Sequence, residues 1–430
     1  MAIGINTHRP LITGVSHIAS TGHYLATAAA YRILEQGGNA TDAGVAAGLV
    51  LNVVLPQYTS FGGVAPIIIY DKTRNQTKSI SGLGRWPKSA SVEYFAKHHN
   101  SELPAGVLRT VTPSAADAWM TALKTFGTMT FEEVVRPAWE LAENGFPIPS
   151  SLHNALVKEG DKLVHDEGEG VLWSTSMDVF FSNGVALQTG QVLVQKDLAH
   201  TFRRLIEVEK ASQGLGREEA IQSARDYFYK GQMAEEMVAF SQSQGGLMSM
   251  DDLQDFSVEI ETPPSISYKD CEVYSCGPWC QGPVTLQTLK ILETTDLASM
   301  GHNSATYLHT VVEALKLAFS DRHHFYGDPD FVNVPMEGLL SSDYAQLRAS
   351  MIDHNHAAQE MPAPGDPWKY ESGKAGTAAI KKPKEMAGGL PADTSYISVV
   401  DKWGNAFSGT PSDGIGGGPT VPGLGFVMSP

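Results

Sequence analysis

Apolar and polar positions alternate most clearly near the far end of the chain. There Tyr396-Ile397-Ser398-Val399-Val400 mixes β-branched and aromatic residues and reads as a strand. The segment 357–393 before it is rich in Pro, Gly, Lys and Ala, lacks periodicity, and reads as a long loop or mobile linker. A Gly-rich loop, Asp413-Gly414-Ile415-Gly416-Gly417-Gly418, follows the strand. Near the start, residues 11–16 also read as a strand. Apolar residues recur at helical spacing over 25–34, and Gly37-Gly38 supplies the stop. Asn39-Ala40-Thr41-Asp42 opens the next helix, with Asn39 or Thr41 placed to cap it. Gly62-Gly63 reads as a turn before a core strand, Ile67–Asp71. Residues 111–148 give helix, loop, helix, with Gly145 as the stop, and 150–260 read as largely helical. Residues 304–331 read as one long helix ending in a turn, Tyr326-Gly327-Asp328-Pro329; Asp321 and Arg322 are expected in buried or half-buried ion pairs.

Composition narrows the classes. At 430 residues the chain can build a large core as one big domain or two. A hydrophobic share of 42% with 18% charged residues suits a soluble globular enzyme. The formal charge is −16 and there is no Lys/Arg block, which argues against a nucleic-acid partner. The N-terminus has no positive end followed by an apolar run, and no stretch reaches about 18 apolar residues, so neither a secretory signal nor a membrane span is expected. The expected location is cytoplasmic. Cys271, Cys276 and Cys280 form an odd, tight cluster that is no disulfide framework and has no evident fourth metal ligand. They read as reduced, partly buried thiols. To act as a nucleophile, Cys280 needs a base and a lowered pKa; the sequence shows no partner, so it reads as structural. His323 and His324 are adjacent and diverge by about 100° on a helix. No metal is expected.

Thr394 stands at the mouth of the strand, where the linker ends. A cut before it would give it a free α-amine, titrating at roughly 7.7–8.0, beside its own hydroxyl: base and nucleophile in one residue. Spacing alone favours a strand-edge threonine bonded to the backbone. The surrounding motif decides between the two. Asp393-Thr394-Ser395-Tyr396-Ile397-Ser398-Val399-Val400-Asp401-Lys402-Trp403-Gly404-Asn405-Ala406 resembles the autoprocessing junction of the gamma-glutamyltranspeptidase family of N-terminal nucleophile hydrolases. Leu34-Glu35-Gln36-Gly37-Gly38-Asn39-Ala40-Thr41-Asp42-Ala43 is similar to that family's opening. Later segments around Gly145-Phe146, Glu313-Ala314 to Asp321-Arg322, Gly327-Asp328-Pro329 and 421–426 follow its order.

The resemblance implies an α+β fold, the four-layer αββα sandwich, either whole or incomplete at its C-terminus. It implies self-cleavage between Asp393 and Thr394 into a large-subunit region, 1–393, and the start of a small subunit, 394–430, which remain associated. Thr394 would then cleave a gamma-glutamyl or other small amide through an acyl-enzyme, with water or an amine as acceptor and no cofactor. Ser412, eighteen residues on, takes the place of the family's usual Thr beside the nucleophile. The family's substrate-binding Asn is replaced by Gly414. Arg85 falls two residues before Pro87, where the family's carboxylate-gripping arginine sits four before. It reads either as a substrate contact or as an arginine in a surface turn. Gly416 and Gly417 read as a backbone approach to substrate or as a tight turn. These departures point to a divergent branch acting on small amides such as oxamate or on acylated amines. The family's small subunit is longer than 37 residues, so the expectation is a fragment, a truncated product or half of an assembly, with the oxyanion-hole donors beyond Pro430. The alternative is an unprocessed, non-catalytic homologue that only binds or assembles.

Overall fold

The computed structural model describes residues 11–104, 106–165, 173–372 and 394–429, with the backbone alone over 159–165. The chain forms two compact units. The first comprises Met1–Gln76, Ile80–Glu259 and Asp393–Pro430; the second comprises Thr77–Ser79 and Ile260–Ala392. The first unit therefore draws on both sides of the 393/394 junction.

In the first unit four antiparallel strands lie in the order Ile18–Thr21, Ile397–Val400, Ala406–Gly409, Ile67–Asp71. Ile397 pairs with Thr21 on one side and Gly409 on the other, so the strand after Thr394 has a partner on each edge. Its burial alternates, with Ile397 and Val399 inside and Val400 outside, as a strand covered on one face requires. The strand expected at 11–16 lies instead at Ile18–Thr21; Leu11, Ile12 and Val15 are exposed, and it is Ile18–Thr21 that finds the Ile397–Val400 ladder.

Helix Ala40–Val54 packs on this sheet and is buried on every side. Between the two capping readings the structure selects Asn39. Its Oδ1 accepts from Thr41 N (2.9 Å) and Asp42 N (3.0 Å), while Asp42 returns a carboxylate to Asn39 N (2.8 Å), a reciprocal capping box. Gly44 presents no side chain, which lets the Phe407 ring of the sheet lie directly on the helix. Asp401, just past the Ile397–Val400 strand, accepts from Ala40 N at the helix's amino end (2.9 Å) and from Trp403 N and Asn405 N (2.9 and 3.0 Å). A carboxylate at a helix amino terminus meets unpaired N–H groups and the positive end of the dipole. It thereby fixes the strand's end to the core helix.

The second unit holds a hairpin, Ser265–Tyr268 with Cys271–Tyr274, and helices Pro283–Leu292, Ala305–Phe325 and Ser342–Ala349 around Val284, Ile291, Leu317 and Ala345. Asp321 is fully buried and its partner is Arg348 at 3.1 Å, reinforced by the Tyr344 hydroxyl at 2.8 Å. Arg322, also expected in an ion pair, makes none among the described residues. It stands one position on in the helix and turns away from Arg348. The first part of the linker is tied down: Ser320 donates to Pro362 O (2.6 Å), Arg348 to Ala363 O (3.1 Å), and Gly365 N to Asp321 (2.9 Å). Its remainder, 373–393, including Asp393, lies outside the described residues. Among the described residues no helix is long and apolar enough to cross a membrane, and no group of three or more His, Cys, Asp or Glu could hold a metal ion.

Candidate active site

Thr394 is exposed at the mouth of its strand. The chain leaves the strand Ala406–Gly409 through Thr410-Pro411 and returns past Thr394, so that Ser395 N donates to Pro411 O (3.0 Å) and Thr394 forms an isolated bridge with Ser412. The bridge sets Thr394 Oγ1 2.8 Å from Ser412 Oγ. Ser412 is held from behind: its N–H donates to Val64 O at 3.1 Å. Gly63 lies so close that a Cβ there would stand 2.4 Å from Ser412 O. Gly62-Gly63 thus does more than turn the chain before the strand Ile67–Asp71: Gly63 lies against Ser412, while Gly62 lies against Phe426 and Val427.

The loop after Ser412 turns sharply. Asp413 adopts a left-handed backbone, φ 72°, which a short polar side chain tolerates better than most. The Ser429 hydroxyl donates to its carboxylate. Gly414 passes over the main chain of Gln57, where a Cβ would sit 2.3 Å from Gln57 C and O, so only glycine fits. Ile415 N then donates to Pro56 O (2.8 Å) and Gly417 N to Gly414 O (3.1 Å). Gly416 and Gly417 therefore lie in a tight turn, with the Gly417 amide engaged in closing it.

Arg85 sits further out. Its guanidinium reaches Glu259 at 3.4 Å, both side chains more than half exposed. Its carbonyl accepts from Thr112 N (2.9 Å), and the neighbouring Val111 N donates to Ser429 O (2.9 Å). One strand of loop thus separates Arg85 from the residue that holds Asp413. The fold brings Thr394 and Ser412 together directly, places Gly416 and Gly417 in the turn a few residues after Ser412, and connects Arg85 through 111–112 to Ser429; Asp393 lies outside the described residues.

Two residues at this site escaped the sequence reading. The Gln57 carboxamide is buried, and neither of its ends has a hydrogen-bond partner among the described residues. The Ser395 hydroxyl, next to Thr394, is buried and partnerless on the same terms, against Gly22 and Leu55. Buried polar atoms are nearly always bonded, so such groups mark strain or function. The visible signal is the polar run Gln57-Tyr58-Thr59-Ser60 directly after the most apolar helix of the chain.

Comparison with known proteins bears on the family and the fold. A family model described as Gamma-glutamyltranspeptidase matches residues 26–429. The glutathione hydrolase proenzyme of Bacillus subtilis (strain 168) is 31% identical over 430 residues, 98% of this chain and 69% of that protein. The Acylase ACY 1 proenzyme of Pseudomonas sp. (strain SE83) is 30% identical over 432 residues, 97% of this chain and 69% of that protein. Among solved structures, the cephalosporin acylase from Bacillus halodurans aligns with a TM-score of 0.80 at 27% identity, covering 100% of this chain and 72% of that one. The fold of these neighbours is the α+β N-terminal nucleophile hydrolase class read from the sequence.

Proposed function

The chain belongs to the gamma-glutamyltranspeptidase family, and from that premise we propose that Thr394 is both its processing and its catalytic nucleophile. The observation that carries this reading is the 2.8 Å contact between Thr394 Oγ1 and Ser412 Oγ at the open end of a doubly paired strand. Enzymes of this family hydrolyse or transfer the acyl group of small amides after processing from a proenzyme.

In processing, the Thr394 oxygen attacks the Asp393 carbonyl carbon. The C–N bond breaks, the nitrogen becomes the free α-amine, and the acyl group moves to oxygen as an ester. Water then splits the ester into the Asp393 carboxylate and a Thr394 that carries both amine and hydroxyl. In turnover that amine takes the hydroxyl proton as the oxygen attacks the substrate amide, and the proton passes on to the leaving amine. Water or an amine acceptor then removes the acyl group. Ser412 orients the attacking oxygen. Arg85 offers a planar guanidinium to a substrate carboxylate. Gly416 and Gly417 add no side chains to the loop that follows Ser412. Gly414, likewise without a side chain, favours a small amide or acylated amine over a gamma-glutamyl donor; an assay panel of both kinds distinguishes them.

Intact mass of the purified protein beside Thr394→Ala and Ser412→Ala tests the proposal. Wild type is expected in two pieces divided between Asp393 and Thr394, and Thr394→Ala whole. Ser412→Ala, lacking one hydrogen bond to the nucleophile, is expected to cleave about 10- to 100-fold more slowly. An uncut wild type, or a cut Thr394→Ala, would overturn the assignment and favour the non-catalytic reading.

A further inference from the structure

The first unit holds a small cavity beside the loop that carries Ser412. It lies between the end of helix Ala40–Val54, the start of helix Lys196–Ala211 and the segment 415–427, and its volume is about 10 Å³. Pro56 and Ile415, joined by the Ile415 N to Pro56 O bond, form part of its wall. Four polar side chains line it, Asn52, Thr59, Gln195 and Thr420, each more than nine-tenths buried. Trp119 Nε1 donates to Asn52 Oδ1 at 3.1 Å. An indole N–H can only donate, so this bond fixes which end of the Asn52 carboxamide is oxygen. The other end, Nδ2, is buried and has no hydrogen-bond partner among the described residues. Gln195 is oriented in the opposite sense: its Nε2 donates to Val53 O at 2.8 Å, which leaves its carbonyl oxygen to accept. The Thr59 hydroxyl donates to Leu55 O at 3.5 Å, and the Thr420 hydroxyl lies 2.8 Å from Ser176 Oγ; each oxygen keeps a lone pair. Ser60, also on the wall, is already engaged with Val427 O, Val427 N and Gly62 N.

We infer that this cavity binds one ordered water, which accepts a hydrogen bond from Asn52 Nδ2 and donates to two of the three acceptors around it, Gln195 Oε1, Thr59 Oγ1 and Thr420 Oγ1.

Size and polarity select this ligand. A cavity needs about 10–15 Å³ to take one water, and a buried water makes about three hydrogen bonds. The wall offers one donor group and three acceptors, a set that water can both accept from and donate to. No residue of the wall carries a charge, so nothing compensates a bare ion. The Asn52 N–H groups oppose a cation, and the acceptors oppose an anion. An organic ligand exceeds the volume. The cost of leaving a buried amide unbonded supplies the drive for hydration. The wall draws 52–60 and 180–198 from before Thr394 and 415–427 from after it. The water therefore fills the seam on which the segment following Ser412 rests, in the cut and the uncut chain alike, and the inference does not depend on Thr394 being the nucleophile.

The test is a high-resolution crystal structure of the full wild-type chain, with water as the probe. One ordered water is expected within about 3.2 Å of Asn52 Nδ2 and of two of the three acceptors. A cavity without density, or Asn52 Nδ2 bonded to a protein oxygen instead, would overturn the inference. Oxygen-17 relaxation dispersion checks it in solution. A chain holds about one buried water per 27 residues, so the readout is a difference between two proteins. The double variant Asn52→Leu/Trp119→Phe removes the donor together with the indole that needs its partner oxygen, and should hold one long-lived water fewer than wild type. An unchanged count in a folded double variant would sink the assignment. The wild-type crystal needs no variant and decides the matter even where the substitutions misfold.

Discussion

Thr394 and Ser412 are eighteen positions apart in the chain, and neither is chemically unusual by itself. What makes them a pair is the return of the chain after Ala406–Gly409 and the two glycines, Gly63 and Gly414, that let neighbouring main chains close in. Gly414 has a steric cause: the Gln57 main chain occupies the space a side chain would need. His23 shows how a single proton acts on this unit. Its Nδ1 accepts from Leu25 N at 3.2 Å as the cap of helix Tyr24–Glu35, a bond only the neutral ring can accept. Burial lowers its pKa below 6.5. Between that lowered value and 6.5 the unfolded chain binds the proton more readily than the folded one, so stability rises with pH across this window. The contribution is whole above 6.5 and lost as pH falls below it. Melting curves on the acid side of neutrality should therefore show wild type losing about 1 kcal/mol more than His23→Asn, which caps without titrating. Parallel losses in the two proteins would remove His23 as the cause.

At the scale of elements, helix Ala115–Phe126 and helix Arg217–Lys230 are joined by a buried ion pair. Arg225 donates to Asp117 through Nε (2.9 Å) and Nη2 (3.1 Å), and Asp117 also accepts from Val258 N (2.8 Å) and Thr121 Oγ1 (3.1 Å). Removing only the cation leaves a buried carboxylate without its counter-charge. Arg225→Met should cost about 3–5 kcal/mol in chemical denaturation, and the double variant Asp117→Leu/Arg225→Met should recover much of it. A single variant within about 0.5 kcal/mol of wild type would show that the pair carries no load. Local signals made the elements legible. The Asn39 cap and the alternation over 397–400 each lie within a few residues of what they determine. Partners distant in sequence left no such trace. Nothing near Asp321 names Arg348, and nothing in Gly62-Gly63 names Ser412. The candidate nucleophile and its hydroxyl neighbour were legible through the motif; Gln57 and Ser395 required the folded chain. The first strand was misplaced because 11–16 is as apolar as 18–21, and only the ladder chooses between them.

At the scale of the whole molecule, the proposed cut before Thr394 falls between segments of one sheet. Ile397–Val400 is bonded to Ile18–Thr21 on one side and to Ala406–Gly409 on the other, which in turn bonds Ile67–Asp71. Phe407 lies on the core helix and Asp401 accepts from its first amide, Ala40 N. The two pieces formed by processing should therefore co-elute in native size-exclusion chromatography and separate only in denaturant; a free small piece in native buffer would contradict this topology. The same strand order has a consequence for biosynthesis. The bond from Ala40 N to Asp401 spans 361 positions. During translation, the strand Ile18–Thr21 and the amino end of helix Ala40–Val54 emerge from the ribosome long before their partners exist. Closing so long a loop is slow relative to local folding, and until it closes the nascent sheet presents an unpaired edge of the kind that chaperones shield and aggregates recruit. On the proposed assignment, scission before Thr394 has a built-in delay: Thr394 cannot meet Ser412 until the last strand of this sheet has been synthesised and inserted, so the cut would report that this sheet is complete.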